Sequence, residues 1–174
     1  MRFRWFCGWV LLVALAFCGC TKPDESSAAP SVERDHLPTR ALPRLRTVKL
    51  WLGSLEITAE IARTPVEIET GMMFRTNLVE MEGMLFVLRS TGRTSFWMKN
   101  CIVPLSVAYI DPEGFIQEIH DLEPGNTNPV KSSSSNVRFA LEVNQGWFTR
   151  HGITTGMVIR AEQGSLAGTF LRGR

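Results

Sequence analysis

Two segments far apart in this chain each end with a charged residue that a polar amide follows within two positions. Lys99 and Asn100 follow Trp97, and Glu142 is two residues before Asn144. Alternate side chains of a strand face opposite ways, so Lys99 would share a face with Trp97, and Glu142 with Asn144. If the two segments are neighbouring strands, the amine and the carboxylate form an ion pair at one end of the sheet.

This juxtaposition predicts a small polar pocket. Its walls would be Phe96, Trp97 and Trp147, and it would bind a small polar or anionic ligand. The residues expected to contact that ligand are Arg75, Trp97, Lys99, Asn100, Glu142 and Asn144. The alternative is a structural ion pair that locks strands together and needs no ligand.

Metal binding and catalysis are weaker alternatives. Thioethers select Cu(I), but the methionines are interleaved with apolar residues, where methionine usually fills core gaps; they are Met72, Met73, Met81, Met84 and Met98. No metal site or cofactor is therefore expected.

A hydrolase would need a nucleophile with a base or paired carboxylates. Ser106 lies in a predicted strand, His120 and Asp121 would point apart, and nothing brings Glu118 to Glu142.

The elements that would position these residues are mostly short strands. Leu55 to Ile61 alternates apolar and polar residues, as a half-buried strand does. Thr64, Pro65 and Glu67 form a capping box that begins a helix ending near Met72. Further strands are predicted at 84–88, 94–99, 105–110, 115–119, 138–143 and 158–161, with a turn at 111–114. The pattern indicates an α+β, mostly β domain: a strongly curved antiparallel sheet or small barrel with one or two short helices.

The N-terminal region has the features of an exported lipoprotein. Residues 1–20 carry Arg2 and Arg4 and then an uncharged apolar run, as a signal peptide does. Phe17 to Cys20 resembles a lipoprotein cleavage box, with Cys20 as the lipidated thiol. By the same resemblance, Thr21 favours the outer membrane over the inner. We therefore expect a cell-envelope protein anchored in the membrane through Cys20, on the periplasmic face of the outer membrane.

The remaining boundaries follow from composition and charge. Residues 21–46 are predicted to be a disordered tether, 47–168 one domain and 169–174 a tail.

The charge of the chain is balanced once the signal is removed. Of the 19 Lys and Arg residues two lie in the signal, which leaves 17 against 17 acidic side chains. A near-neutral domain lacks the charge that nucleic-acid binding requires, so no nucleic acid is expected. Cys101 would remain the single free thiol, expected to be buried.

Five motifs resemble the family called domain of unknown function 192 (DUF192). They occur in order at Gly71 to Arg75, Gly83 to Phe86, Phe96 to Asn100, Pro104-Leu105, and Ala140 to Asn144 followed by Gly146. The resemblance implies one domain and this set of site residues, but no reaction. Where the family usually has Asp after Pro-Leu, this chain has Ser106.

A third class of function is an interaction module that holds another envelope protein near the cell wall. An exposed aromatic patch that includes Trp147 and Phe148 would favour this alternative. Burial of those two side chains would count against it.

Overall fold

The computed structural model describes residues 38–172. Ten strands and three short helices follow one another along this part of the chain. In order they are β1 (Thr47–Leu52), β2 (Leu55–Ala62), α1 (Pro65–Thr70), β3 (Glu82–Gly92), β4 (Ser95–Phe96), β5 (Leu105–Ile110), β6 (Ile116–Leu122), β7 (Val130–Lys131), β8 (Val137–Asn144), α2 (Trp147–Arg150), β9 (Ile159–Ala161), β10 (Gly164–Ser165) and α3 (Leu166–Phe170).

Eight of these strands form one curved sheet in the order β10-β9-β1-β2-β3-β8-β5-β6, and β4 pairs only with β7. The sheet curves enough for Phe115, before β6, to bridge Val158, before β9, but it does not close into a barrel. The fold is therefore α+β and mostly β, as predicted. The pairing in this sheet is mostly antiparallel, but β2 and β3 run parallel. Their crossover contains α1, since parallel neighbours need a long connection.

The register places two glutamates on one face of the sheet. Glu60 on β2 lies opposite Met84 on β3, and Met84 lies opposite Glu142 on β8. Residues directly opposite each other share a face. Glu60 and Glu142 are therefore two strands apart, about 10 Å between strand axes, on the face that α1 and the following turn cover.

Each face of the sheet packs against its own apolar cluster. One cluster contains Trp147, Phe148, Leu166 and Phe170, which bring α2 and α3 onto the sheet. The other contains Met84 and Phe86 together with the turns after α1 and β4. The second cluster surrounds the residues that the sequence singled out.

The helix α1 begins as the sequence predicts. The Thr64 side chain accepts from the Glu67 N–H, and the Glu67 carboxylate accepts from the Thr64 N–H at 2.8 Å. The pKa of Glu67 is lowered chiefly by the backbone N–H groups of Thr64 and Arg63, which donate to its carboxylate. The helix ends at Thr70, two residues earlier than expected, because Gly71 takes a positive φ of 47°.

The strand predicted over 94–99 is much shorter in the structure. Only Ser95 and Phe96 are in β4, and the chain then turns, so Lys99 and Asn100 lie in a turn. The predicted alternation holds across this boundary, because Phe96 and Met98 are buried whereas Trp97 is 38% exposed. The end of the strand therefore presents Trp97 to solvent.

The ends of the described region extend beyond the predicted domain. Leu45, which the sequence places in the tether, donates its N–H to Glu60 at 2.7 Å. Phe170, which the sequence places in the tail, is buried in α3. Cys20, the predicted signal and most of the predicted tether lie outside the described residues. Between residues 38 and 172, none of the helices is both long and apolar enough to cross a membrane.

Gly83 sets the distance between β3 and β8 beside Glu142. A Cβ at Gly83 would lie 2.6 Å from the backbone oxygen of Glu142, so one strand would have to move. We expect Gly83→Ala to destabilise the domain by about 1–3 kcal/mol. Gly92→Ala in the same strand is the matched control, because no heavy atom lies within 4 Å of its added Cβ. Equal urea midpoints for the two variants would contradict this account.

Candidate functional site

Arg75 is paired with a glutamate that the sequence analysis did not single out. Its two terminal nitrogens donate to the two carboxylate oxygens of Glu60, each at 2.8 Å. Both side chains are largely buried, 17% and 10% exposed. This bidentate geometry is the strongest form of the Arg–carboxylate contact, and it holds the turn after α1 against β2. Arg75 is therefore engaged in a contact that stabilises the fold.

Glu142 is the unusual carboxylate of this face. It is 4% exposed, and its carboxyl group has no hydrogen bond or ion pair with any residue from 38 to 172. Burial raises its pKa to about 8, because a low-dielectric environment disfavours the charged form. Burial therefore favours the neutral acid form of Glu142.

Lys99 does not form the predicted ion pair with Glu142. Among the ion pairs of the described part of the chain, Lys99 has none; its Nζ lies 5.4 Å from the centroid of the Trp97 ring. This distance is within the range of a cation–π contact. The physical reason is that Lys99 lies in the turn after β4, whose strand partner is β7 rather than β8.

The two predicted asparagines hold loops. The Asn144 side-chain amide donates to the Leu78 carbonyl at 3.0 Å, which ties the end of β8 to the loop before β3. Asn100 accepts the Phe74 N–H on its backbone oxygen at 2.8 Å. Both Asn100 and Phe74 have positive φ, 58° and 61°, which is uncommon outside glycine. This hydrogen bond joins the turn after α1 to the turn after β4.

These two turns enclose a small cavity of about 20 Å³ beside Glu142. Its lining includes Thr70, Phe96, Trp97, Cys101 and Glu142. The Thr70 hydroxyl is buried with no hydrogen-bond partner in the described region. The volume is about that of one water molecule. Of the six predicted contact residues, Trp97 and Glu142 are the two that line this common space.

Trp147 is not a wall of the site, contrary to the prediction. It is fully buried, and it packs with Phe148 in the cluster on the opposite face of the sheet. The physical reason is that β8 ends at Asn144 and the chain crosses the end of the sheet before α2 begins. The exposed patch of Trp147 and Phe148 that the interaction-module alternative required is therefore not formed.

A larger cleft lies on the other side of Trp97. It has a volume of about 610 Å³, within the usual range of small-molecule sites. Its polar lining comes from β6, from the loop after β6 and from the end of β8: Asp121, Glu123, Asn126, Asn128 and Gln145. Trp97 borders both this cleft and the small Glu142 cavity. We call this space the Trp97 cleft.

Ser106, which replaces the family's usual Asp, organises the base of the Trp97 cleft. It is 1% exposed. Its hydroxyl donates to the Asp121 carboxylate and accepts the Gly146 N–H at 2.8 Å. Asp121 and Gly146 both line the cleft. Ser106 thus bonds to a carboxylate that the neighbouring strand β6 supplies.

The acidic and amide residues of the Trp97 cleft were not predicted from the sequence. Residues 123–128 lie between the strands predicted at 115–119 and 138–143, and Asp121 was considered only as the neighbour of His120. Ser106 was the one signal available, because a serine in place of an aspartate in a buried strand needs a partner. The partner was not predictable without the register of β5 against β6.

The methionines and the free cysteine lie in the core. Met72, Met73, Met84 and Met98 are buried in one apolar cluster with Cys101. Burial, and to a smaller extent the charge of Glu142, raises the pKa of Cys101 to about 12. Residues 38–172 contain no cluster of three His, Cys, Asp or Glu side chains arranged to hold a metal ion.

Glu118 and His120 form a separate structural contact. Their side chains lie 3.1 Å apart, and the Glu118 carboxylate accepts the N–H groups of Ser133 and Ser134. Burial favours a higher pKa for Glu118, but these donors together outweigh it and lower the pKa to about 2. Glu118 therefore holds the loop before β8, and it is not paired with Glu142.

Comparisons with known proteins agree on the family. A family model described as DUF192, an uncharacterized group, matches residues 48–161. A crystal structure from Sinorhizobium meliloti 1021, of a protein provisionally named a transcription regulator, is 31% identical with a TM-score of 0.62; the match covers 66% of this chain and 92% of that chain. A protein of unknown function from Novosphingobium aromaticivorans DSM 12444 is 28% identical with a TM-score of 0.62, covering 82% and 99%.

No curated protein matches the chain. The family match covers most of the β sheet, from β1 to β9, and it includes every motif on which the resemblance depends. The chain therefore belongs to the DUF192 family.

Proposed function

We propose that this domain binds a small polar ligand in the Trp97 cleft. The observation that carries the proposal is an exposed tryptophan beside a cleft of about 610 Å³ with polar groups on its lining. Binding sites for small molecules combine an aromatic surface with a few polar groups that fix orientation. The site thus differs from the pocket expected between Lys99 and Glu142, although Trp97 belongs to both.

The charges around the cleft favour a ligand that is not an anion. Asp121 and Glu123 line the cleft, and its lining contains neither lysine nor arginine. A carboxylate or phosphate ligand would meet these two like charges against the one positive charge of Lys99 beside Trp97. Of the two ligand classes considered from the sequence, the polar one is therefore preferred over the anionic one.

We also propose that the domain works in the cell envelope, held to a membrane by lipid on Cys20 and on the periplasmic face of the outer membrane. The support is the sequence of residues 1–21 alone. A nucleic-acid partner is not proposed, although one relative is provisionally named a transcription regulator. Without its signal, this chain carries as many acidic as basic side chains, so it lacks an attractive field for phosphates.

The other functions considered have weaker support. An interaction module for an envelope protein loses the aromatic surface it required, because Trp147 and Phe148 are buried. Cu(I) binding would use methionines that pack in an apolar core. For a hydrolase, Glu118 and His120 are occupied with each other. Ligand binding at Trp97 is therefore the function that the geometry supports best.

The test is binding of uncharged, cationic and anionic small polar compounds to the full-length protein, followed by amide chemical shifts. We expect uncharged polar compounds to shift residues around Trp97. The change Trp97→Ala should weaken this binding about tenfold or more, since buried aromatic contacts dominate such sites. Phe115→Ala is the matched control, because Phe115 is an exposed aromatic residue that does not line the cleft. Equal losses in both variants, or no shifts near Trp97, would reject the proposal.

A further inference from the structure

We infer that the ligand of the Trp97 cleft is an uncharged saccharide, whose ring packs on Trp97 and whose hydroxyls bond to the polar lining. This inference depends on the proposed function, since it names the chemical class that the same cleft would accept. It follows from three properties of the cleft: its unused hydrogen-bonding groups, its acidic lining and the position of Lys99.

Several polar groups of the cleft are already used within the protein. The Asn126 side-chain oxygen accepts the Asn128 N–H at 2.9 Å. The Gln145 amide nitrogen donates to the Leu122 carbonyl at 3.3 Å. One oxygen of Asp121 accepts from Ser106. These contacts fix the lining residues in place but leave their remaining polar atoms available.

The available atoms are mostly acceptors. No partner within residues 38–172 bonds the second Asp121 oxygen, the Glu123 carboxylate, the Gln145 amide oxygen or the Asn128 amide. The amide nitrogens of Asn126 and Asn128 are the available donors on these side chains. A site with many acceptors and few donors fits hydroxyl groups, because each hydroxyl donates one hydrogen bond and also accepts. A phosphate or carboxylate only accepts, and would leave most of these groups unpaired.

Lys99 distinguishes an uncharged ligand from a cationic one. Acidic residues and a tryptophan ring are also the features that bind organic cations. Here the Lys99 ammonium already lies 5.4 Å from the Trp97 ring centroid. A second cation on this ring would meet a like charge, whereas a neutral sugar ring would not. The apolar face of a sugar and its polar rim match an aromatic surface bordered by amides and carboxylates.

The experiment compares sugars that share one ring and differ in charge. Full-length protein is titrated with methyl glucoside, glucosamine and glucose 6-phosphate, and with neutral trisaccharides of glucose and of N-acetylglucosamine, while amide chemical shifts are recorded. We expect at least one neutral sugar to shift residues of the cleft, with affinity reduced about tenfold or more by Trp97→Ala. Trp97→Phe should retain more affinity, because it keeps an aromatic face.

A second variant tests the role of Lys99. Lys99→Met should increase the affinity for glucosamine relative to that for methyl glucoside, because the like charge is removed. Glucose 6-phosphate should bind least to the wild-type protein. Preferred binding of the phosphate would overturn the inference, and so would preferred binding of glucosamine to the wild-type protein.

The outcomes separate the two claims. If no sugar binds but another polar compound shifts the cleft and loses affinity in Trp97→Ala, the saccharide inference is wrong and the proposed function stands. If no compound of any class shifts residues around Trp97, both are wrong. Sugar binding that Trp97→Ala leaves unchanged would also reject the saccharide inference, because the ring would not be its platform.

Discussion

Replacing Glu142 with glutamine is expected to stabilise the folded domain at pH 8 by several kcal/mol. The carboxyl is 4% exposed and has no hydrogen-bond or ion-pair partner among residues 38–172. An uncompensated buried charge is among the most costly features of a protein interior. Glutamine keeps nearly the same shape and removes the ionisable group. The measurement is the free energy of unfolding in urea at a series of pH values.

The pH dependence has a definite sign. Burial raises the pKa of Glu142 to about 8 from an ordinary value of 4.5. Between these values the folded domain holds a proton that the unfolded chain has released. The free energy of unfolding therefore falls by about 1.4 kcal/mol per pH unit as the pH rises. The stabilising contribution is complete below pH 4.5 and lost by about pH 8, so wild type and Glu142→Gln should differ little at pH 4.5.

The matched control is Glu113→Gln in the turn between β5 and β6, where the side chain is exposed. Its unfolding free energy should follow that of the wild type at every pH. Other titrating groups, including Glu118, affect both proteins alike, so the difference between them isolates Glu142. Parallel curves for wild type and Glu142→Gln from pH 4.5 to 8 would show that the carboxyl is not buried as described.

Arg75→Met is expected to destabilise the domain by about 3–5 kcal/mol. The change leaves the Glu60 carboxylate, 10% exposed, without its bidentate partner, and breaking a buried ion pair from one side has this cost. The Leu45 N–H would remain bonded to Glu60, but one neutral donor does not replace a guanidinium. Urea unfolding at pH 7 measures the loss.

Two further variants make this prediction specific. Arg44→Met should have little effect, because Arg44 lies 4.0 Å from Glu60 with its side chain 59% exposed, and surface pairs contribute little. The double change Glu60→Leu with Arg75→Met should recover much of the lost stability, since apolar replacements of buried pairs are often tolerated. Equal losses for Arg44→Met and Arg75→Met would contradict the account.

The two glutamates also explain why residue type alone misleads at this face. Glu60 and Glu142 occupy one row of the sheet, two strands apart. An arginine from the turn after α1 reaches Glu60 and not Glu142. Glu60→Gln should therefore lower the free energy of unfolding, whereas Glu142→Gln should raise it at pH 8. Only the register of β2, β3 and β8 reveals that Glu60 and Glu142 lie in the same row on one face of the sheet.

Much of the fold was predictable from local patterns. Alternation at 55–61, the capping box at Thr64 and the turn at 111–114 each depend on residues within a few positions, so short-range rules apply. The shortened β4 and the parallel pairing of β2 with β3 were not predictable in this way. Both depend on which strand lies alongside, and that is decided by packing over the whole sheet.

The candidate site likewise combines features that local patterns determine with features that depend on long-range packing. The sequence by itself determined that Trp97 faces away from Phe96 and Met98, because alternation along an extended segment fixes facing. It also determined the family, through motifs that the family model matches. The tertiary structure alone decided that Lys99 meets Trp97 rather than Glu142, that Arg75 meets Glu60, and that Asp121 and Gln145 line the cleft. Lys99 and Trp97 are close in the chain, but the other contacts join residues distant in it, and which groups meet depends on register and burial that no local pattern encodes.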